Sequence, residues 1–194
     1  MTVSPTRQSS DTESHPPQAM MEALIGMVLA MPMARTLGLR FVHAEPGRVE
    51  VEIPLSEAFS FRPGQLQATA VFAVADFAAV AAAGSVLPPG WTNATVDTTL
   101  KIVAPAQGEC LRARGGVVDA GRLLTVCAAD VWAVDAAGQE RLCATLLATA
   151  RNIDTGVPRP PRGLTAAAEP VRLSGAVPAR PPPALRALAR SAPC

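Results

Sequence analysis

Between Arg48 and Ile53 polar and apolar residues alternate without a break, placing Val49, Val51 and Ile53 on one side and Arg48, Glu50 and Glu52 on the other. A period of two is that of a half-buried strand. Residues 39–43 precede it across Glu45-Pro46-Gly47, so the pair reads as a hairpin. Upstream, residues 20–31 (MMEALIGMVLAM) form a short apolar segment of helical character that Pro32 is expected to stop. After a polar and aromatic loop over 55–63, residues 66–83 are rich in alanine and free of proline and glycine. They predict a helix of roughly 27 Å. It is apolar nearly all round, and such a helix must be covered on most sides. Pro88-Pro89-Gly90 breaks the chain, and strand-like segments follow at 94–103, 109–119, 123–134 and 140–153. Their connections are short, which predicts antiparallel neighbours throughout the series. The fold class is therefore α+β, with a curved antiparallel sheet wrapped around one long central helix. An open sheet edge invites a second copy, so a homodimer or homotetramer is expected.

A chain of 194 residues has room for one ordinary domain, and with 49% hydrophobic and 17% charged residues it can bury a core. Three zones are visible: a polar leader over 1–19 expected to be mobile, the domain at 20–153, and a proline-crowded tail at 154–194. The tail reads as extended or disordered, with room for a short helix over 184–190. A net charge of +1, a single lysine (Lys101) and scattered arginines supply no field for nucleic acid or an anionic membrane. The apolar run starting at Met20 lacks a basic lead-in, and no stretch reads as a membrane span. Cys110, Cys127, Cys143 and Cys194 are far apart, without a CxxC pair, which fits reduced thiols in a cytoplasmic protein. With only His15 and His43, and no tyrosine, multi-histidine metal sites and Ser-His-Asp triads lack their parts. Carboxylate, amide and hydroxyl chemistry is what remains, and neither metal nor cofactor is expected.

Asp76 stands out. It is the only charged residue between Arg62 and Asp97, and it sits in the middle of the apolar helix, too far from its start to be an N-cap. A buried carboxylate without partners is costly or is neutralised by a raised pKa. Three readings are open: a structural pairing, a place at a subunit interface, or work as a base or nucleophile. In the strand that follows, alternation puts Thr95, Asp97, Thr99 and Lys101 on one face, as a polar stripe or a solvated surface. Asp130, a second acid in an apolar strand, reads as outward-facing or paired.

The stretch from Phe61 through Arg-Pro-Gly64-Gln-Leu-Gln67-Ala68-Thr69-Ala-Val-Phe72-Ala-Val-Ala-Asp76 resembles the helix entry of hotdog-fold acyl-CoA thioesterases of the phenylacetate-degradation and 4-hydroxybenzoyl-CoA type. Asn93-Ala-Thr95-Val-Asp97 through Pro105-Ala resembles the family's next strand, and the likeness covers roughly residues 20–153. The resemblance implies a hotdog fold and hydrolysis of an acyl-CoA thioester. It puts Asp76 on the catalytic carboxylate, as general base or nucleophile. It puts Thr95 on the hydroxyl residue that helps hold water or carboxylate, reached from the partner subunit. Ala68 supplies the backbone N–H that polarises the thioester oxygen, with Gln67 beside it at the helix N-terminus. Phe61, Gly64, Thr69 and Phe72 are the implied substrate contacts. The chain departs from the family at Phe61, where Asn is usual, at Gln67, which replaces His, and at Ala68-Thr69, which replace Gly-Gly.

Lys101, Arg112, Arg114 and Arg122 are candidates for the CoA phosphates. Two other readings accompany hydrolysis: a hydratase or dehydratase, which would have to use His43, and a non-catalytic acyl-ligand binder on the same scaffold.

Overall fold

The computed structural model of the protein describes residues 16–156. The chain opens with α1 (Pro16–Ala30) and α2 (Pro32–Leu37). The helix therefore begins inside the expected leader, and Pro32 both ends α1 and starts α2. Proline at a first helical position loses no bond and brings a preset φ, so the residue that stops one helix begins the next. Gly38 closes α2 at φ 66°, with Gly38 N–H bonded to Arg35 O at 3.1 Å and Leu39 N–H to Ala34 O at 2.9 Å. The expected leader at 1–15, and the proline-rich tail and its short helix beyond 156, lie outside the described residues.

The alternating segment becomes β2 (Arg48–Pro54), paired antiparallel with β1 (Arg40–Glu45) through Pro46-Gly47. Residues 55–67 are more ordered than the loop expected there. They hold a short 3-10 turn at Glu57–Phe59 and a small hairpin of β3 (Ser60–Arg62) and β4 (Gln65–Leu66). The long helix is α3 (Ala68–Gly84), followed by β5 (Trp91–Ile102), β6 (Cys110–Ala120), β7 (Leu124–Val134) and β8 (Glu140–Asp154).

The main sheet is antiparallel in the order β1-β2-β6-β7-β8-β5, and α3 packs against it. One expectation fails here: β5 and β6 are successive but not neighbours. β6 is paired on one side by β2 and on the other by β7, which leaves β5 the edge beside β8. The link makes the crossing in stages. Val103 and Ala104 N–H still bond Cys143 O on β8, Ala106 O then accepts from Leu66 N–H, and Glu109 N–H reaches Val134 O on β7.

The alanines of α3 explain how closely helix and sheet approach. Ala75, Ala78, Ala79, Ala82 and Ala83 are fully buried against Ile53, Leu111, Ala113, Val131, Leu146 and Ala148 of the sheet. At the tightest point Gly115 of β6 lies under the helix backbone, and a Cβ there would stand 2.1 Å from Ala78 O. On the opposite face Glu50 and Glu52 of β2 and Glu140 engage Arg112 and Arg114 of β6, with Arg112 to Glu52 at 2.9 Å and Arg114 to Glu140 at 2.6 Å. Burial works against the Glu52 carboxylate, yet the Arg112 hydrogen bond and the charges of Arg40 and Arg112 hold it below its usual range.

Because neither the Ala78 carbonyl nor the Gly115 backbone can yield, Gly115→Ala is expected to destabilise the fold by about 1–3 kcal/mol or more. Urea denaturation followed by circular dichroism measures this. A midpoint equal to wild type would contradict the packing described.

Candidate active site

Asp76 lies about two helical turns inside α3, on a stripe with Thr69, Phe72 and Ala73. The spacings of three, four and seven residues put these side chains on one face. That stripe forms one wall of a cleft of about 550 Å³, completed by Ala68, Phe77, Met33 of α2 and Leu100 of β5. Asp76 is half-buried, and its Oδ1 accepts a hydrogen bond from Thr95 Oγ1 at 3.1 Å. The bond is made within one chain, so Thr95 need not come from a partner subunit to meet the carboxylate.

How Thr95 reaches Asp76 corrects the alternation expected of its strand. β5 pairs with β8 as Thr95 to Ala150, then as Asp97 to Thr149, and the irregularity falls at Val96. One extra residue turns Thr95 to the face of buried Ala150, toward α3. Asp97, Thr99 and Lys101 take the opposite face, opposite Thr149, Leu147 and Thr145. Nearby, Asn93 Nδ2 donates to Val80 O at 2.9 Å and fixes the start of β5 to the helix.

Burial raises the Asp76 pKa above its ordinary value, and the Thr95 hydrogen bond pulls it part of the way back. Beneath the helix, burial and then the Asp76 charge push the Cys127 thiol up to about 11, so that thiol stays neutral at physiological pH. Among the described residues, no group of three or more His, Cys, Asp or Glu is placed to hold a metal ion.

The helix entry supplies the second element. Gln67 is the extended N-cap residue; its N–H bonds Phe59 O at 2.8 Å, and its carbonyl accepts from Ala70 at 3.0 Å and Val71 at 3.2 Å. Among the described residues no acceptor meets the N–H of Ala68 or Thr69, which both border the cleft. Donors at a helix N-terminus are suited to a developing negative charge. The Gln67 side chain makes no capping bond and is exposed.

Of the residues singled out from sequence, the structure thus gathers Asp76, Thr95, Ala68, Thr69 and Phe72. It does not bring in Phe61 or Gly64. These belong to the β3–β4 hairpin, where Phe61 is 57% exposed under the Arg62 guanidinium and Gly64 makes the turn at φ 74°. Gln67 contributes its backbone at the helix entry and lies outside the cleft lining. Arg112 and Arg114 are paired with Glu50, Glu52 and Glu140 on the far face of the sheet, outside the lining of the cleft that holds Asp76. His43 sits 3.6 Å from Glu45 in the β1–β2 hairpin, away from the cleft that holds Asp76. Asp130 accepts from Thr145 Oγ1, which bears out the paired reading. Met33, Ala73 and Leu100 were missed. Ala73 was findable at three residues before Asp76, whereas Met33 lies on a helix the pattern did not reveal.

Comparison with solved structures places this architecture. A thioesterase family protein from Silicibacter pomeroyi is 34% identical, with a TM-score of 0.66, over 69% of this chain and 98% of its own. The chain belongs to the thioesterase family. A thioesterase from Haemophilus influenzae (18% identity, TM-score 0.63, 72% of this chain and 94% of its own) shares the fold. So does the E. coli PaaI protein from the phenylacetic acid degradation operon (19%, TM-score 0.60, 72% and 95%). The α+β hotdog architecture expected from the sequence is thereby the observed one. No family model matches the sequence, and no curated protein does. Among the described residues no helix is long and apolar enough to cross a membrane.

The Thr95 hydrogen bond favours the charged form of Asp76 against the effect of burial, so removing the hydroxyl in Thr95→Val is expected to move the Asp76 titration to higher pH. Carbon-13 NMR of the side-chain carboxyl measures the midpoint directly. An unchanged midpoint would show that the bond does not set the carboxylate's charge.

Proposed function

We propose that the protein hydrolyses an acyl-CoA thioester to free acid and CoA, with Asp76 as general base. The observation that carries this reading is a single carboxylate, held by Thr95 in a largely apolar cleft. Thr95 occupies one carboxylate oxygen and leaves the other for water. Asp76 takes a proton from that water as its oxygen attacks the thioester carbon. The negative charge that develops on the carbonyl oxygen is met by a helix-entry N–H. As the tetrahedral species collapses, the carbon–sulfur bond breaks and the leaving thiolate takes the proton from Asp76.

The distance along α3 bears on assembly. Ala68 and Asp76 are eight residues apart, about 12 Å along the axis. An amide and a carboxylate acting on one carbonyl carbon must both lie within a few ångströms of it. The amide of one chain and the carboxylate of another therefore serve one substrate, in a homodimer or in a tetramer built from such dimers. The outer edge of β5 is unpaired among the described residues and offers the place to join. Lys101 and Arg122 remain for the CoA phosphates. A hydratase reading loses support, since His43 lies away from Asp76.

Release of free thiol from a panel of acyl-CoA esters tests this. Asp76→Asn is expected to lower kcat by about 10²–10⁴-fold, the usual worth of a positioned base. Stability moves the other way. With the folded pKa raised, stability is greatest below the unfolded pKa and is lost as pH rises through the folded one. Asp76→Asn is therefore as stable as wild type or more so at neutral pH. Activity equal to wild type in this variant would remove Asp76 from the reaction, and no turnover of any ester by wild type would end the proposal.

A further inference from the structure

The chemistry accounts for Asp76 and the helix entry, but not for the apolar residues that line the same cleft. α2 is anchored by buried Ala34 and Leu37, and Arg35 Nε ties it to Ala30 O of α1 at 3.2 Å. This leaves Met33 projecting at the cleft with 53% of its surface exposed, beside Phe72, at 38%. Phe77 and Leu100 continue the same apolar lining. The polar side chains bordering the cleft are Thr69, at the helix entry, and Asp76, already bonded to Thr95. Along the Met33–Phe72–Phe77–Leu100 wall no side chain donates or accepts a hydrogen bond.

All six methionines of the protein precede residue 34, five of them within residues 20–33. Met27, Met31 and Met33 expose large parts of their surface. Methionine is unbranched and polarizable, and it moulds to apolar partners of differing shape. Exposed methionine lining an apolar cleft is surface that a ligand would bury.

We propose that Met33 selects the acyl group, and that the group it selects is a plain hydrocarbon without a hydroxyl or charge on its distal part. This rests on the reading of the cleft as a thioester site and names the substrate class for it. Each methylene buried on such a wall is worth a factor of about four in binding. A distal hydroxyl buried there without a partner costs a factor of about 5 to 150.

The test compares hexanoyl-CoA with 6-hydroxyhexanoyl-CoA by kcat/KM, for wild type, Met33→Leu and Met33→Gln. Met33 is half exposed, so both variants are expected to keep the wild-type melting temperature. Wild type and Met33→Leu should favour hexanoyl-CoA by about 5- to 150-fold. Met33→Gln, of similar length but able to hydrogen-bond, should cut that preference about tenfold. Calorimetric binding of the non-hydrolysable thioethers S-hexyl-CoA and S-(6-hydroxyhexyl)-CoA separates the two ways of failing. If no ester is turned over while the thioethers bind with the same Met33-dependent preference, hydrolysis fails and the acyl selection stands. Equal turnover of both esters, or a preference untouched by Met33→Gln, overturns the selection and leaves hydrolysis intact. Equal binding of both thioethers by an inactive wild type overturns both.

Discussion

A carboxylate in the middle of an alanine-rich helix is disfavoured in its charged form unless something polar is brought to it, and in this fold that partner is Thr95. The hydrogen bond from Thr95 Oγ1 to Asp76 Oδ1 at 3.1 Å depends on the extra residue at Val96, which turns Thr95 inward while the rest of its polar stripe faces away. It also depends on α3 lying close to the sheet, which in turn requires alanines on the helix and Gly115 on β6. A larger side chain at either surface would lift the helix, and with it Asp76, away from β5. The smallness of these residues is therefore a condition of the site as well as of the core.

Much of this was legible in the chain. The period-two run from Arg48, the proline-free alanine segment and the four later strands all have local signatures, and the structure realises each with ends shifted by a few residues. Asp76 was conspicuous because its charge stood alone in an apolar setting, and the spacing to Thr95 matched the family resemblance. What was hidden depends on relations between distant segments. β6 chooses β2 over β5 by pairing along Arg48–Pro54, which no short connection announces. The bulge at Val96 breaks an alternation that looks regular in sequence, so Thr95 was grouped with Asp97, Thr99 and Lys101 when it faces away from them. α2 escaped because Pro32 reads as a stop, although proline also begins helices. Missing α2 meant missing Met33. Phe61 and Gly64 lie on a loop that folds into its own small hairpin, outside the lining of the cleft that holds Asp76.

Membership of the thioesterase family and the geometry of the cleft meet at one point. The family supplies the reaction class, and the structure supplies a carboxylate, a hydroxyl bonded to it, and helix-entry amides that meet no acceptor among the described residues. Substituting Gln67-Ala68-Thr69 for the family's His-Gly-Gly leaves the amides in place, because a backbone donor does not depend on its side chain. An apolar wall of Met33, Phe72, Phe77 and Leu100 lies beside these groups.

The central claim is that the amide and the carboxylate serving one thioester belong to two chains, and mixed dimers test it directly. Ala68→Pro deletes one donor while keeping α3, since proline is accepted at a first helical position and Gln67 at φ −68°, ψ 153° already has the backbone it requires. Ala68→Pro and Asp76→Asn homodimers should each be nearly inactive. Subunits of the two variants, exchanged by mild denaturation and refolding, should regain activity, because one site of every mixed dimer then keeps both groups. The account predicts a recovered rate per mixed dimer of about half the wild-type value. No recovery, with mixed dimers shown to have formed by native mass spectrometry, would place amide and carboxylate in the same chain and contradict the account.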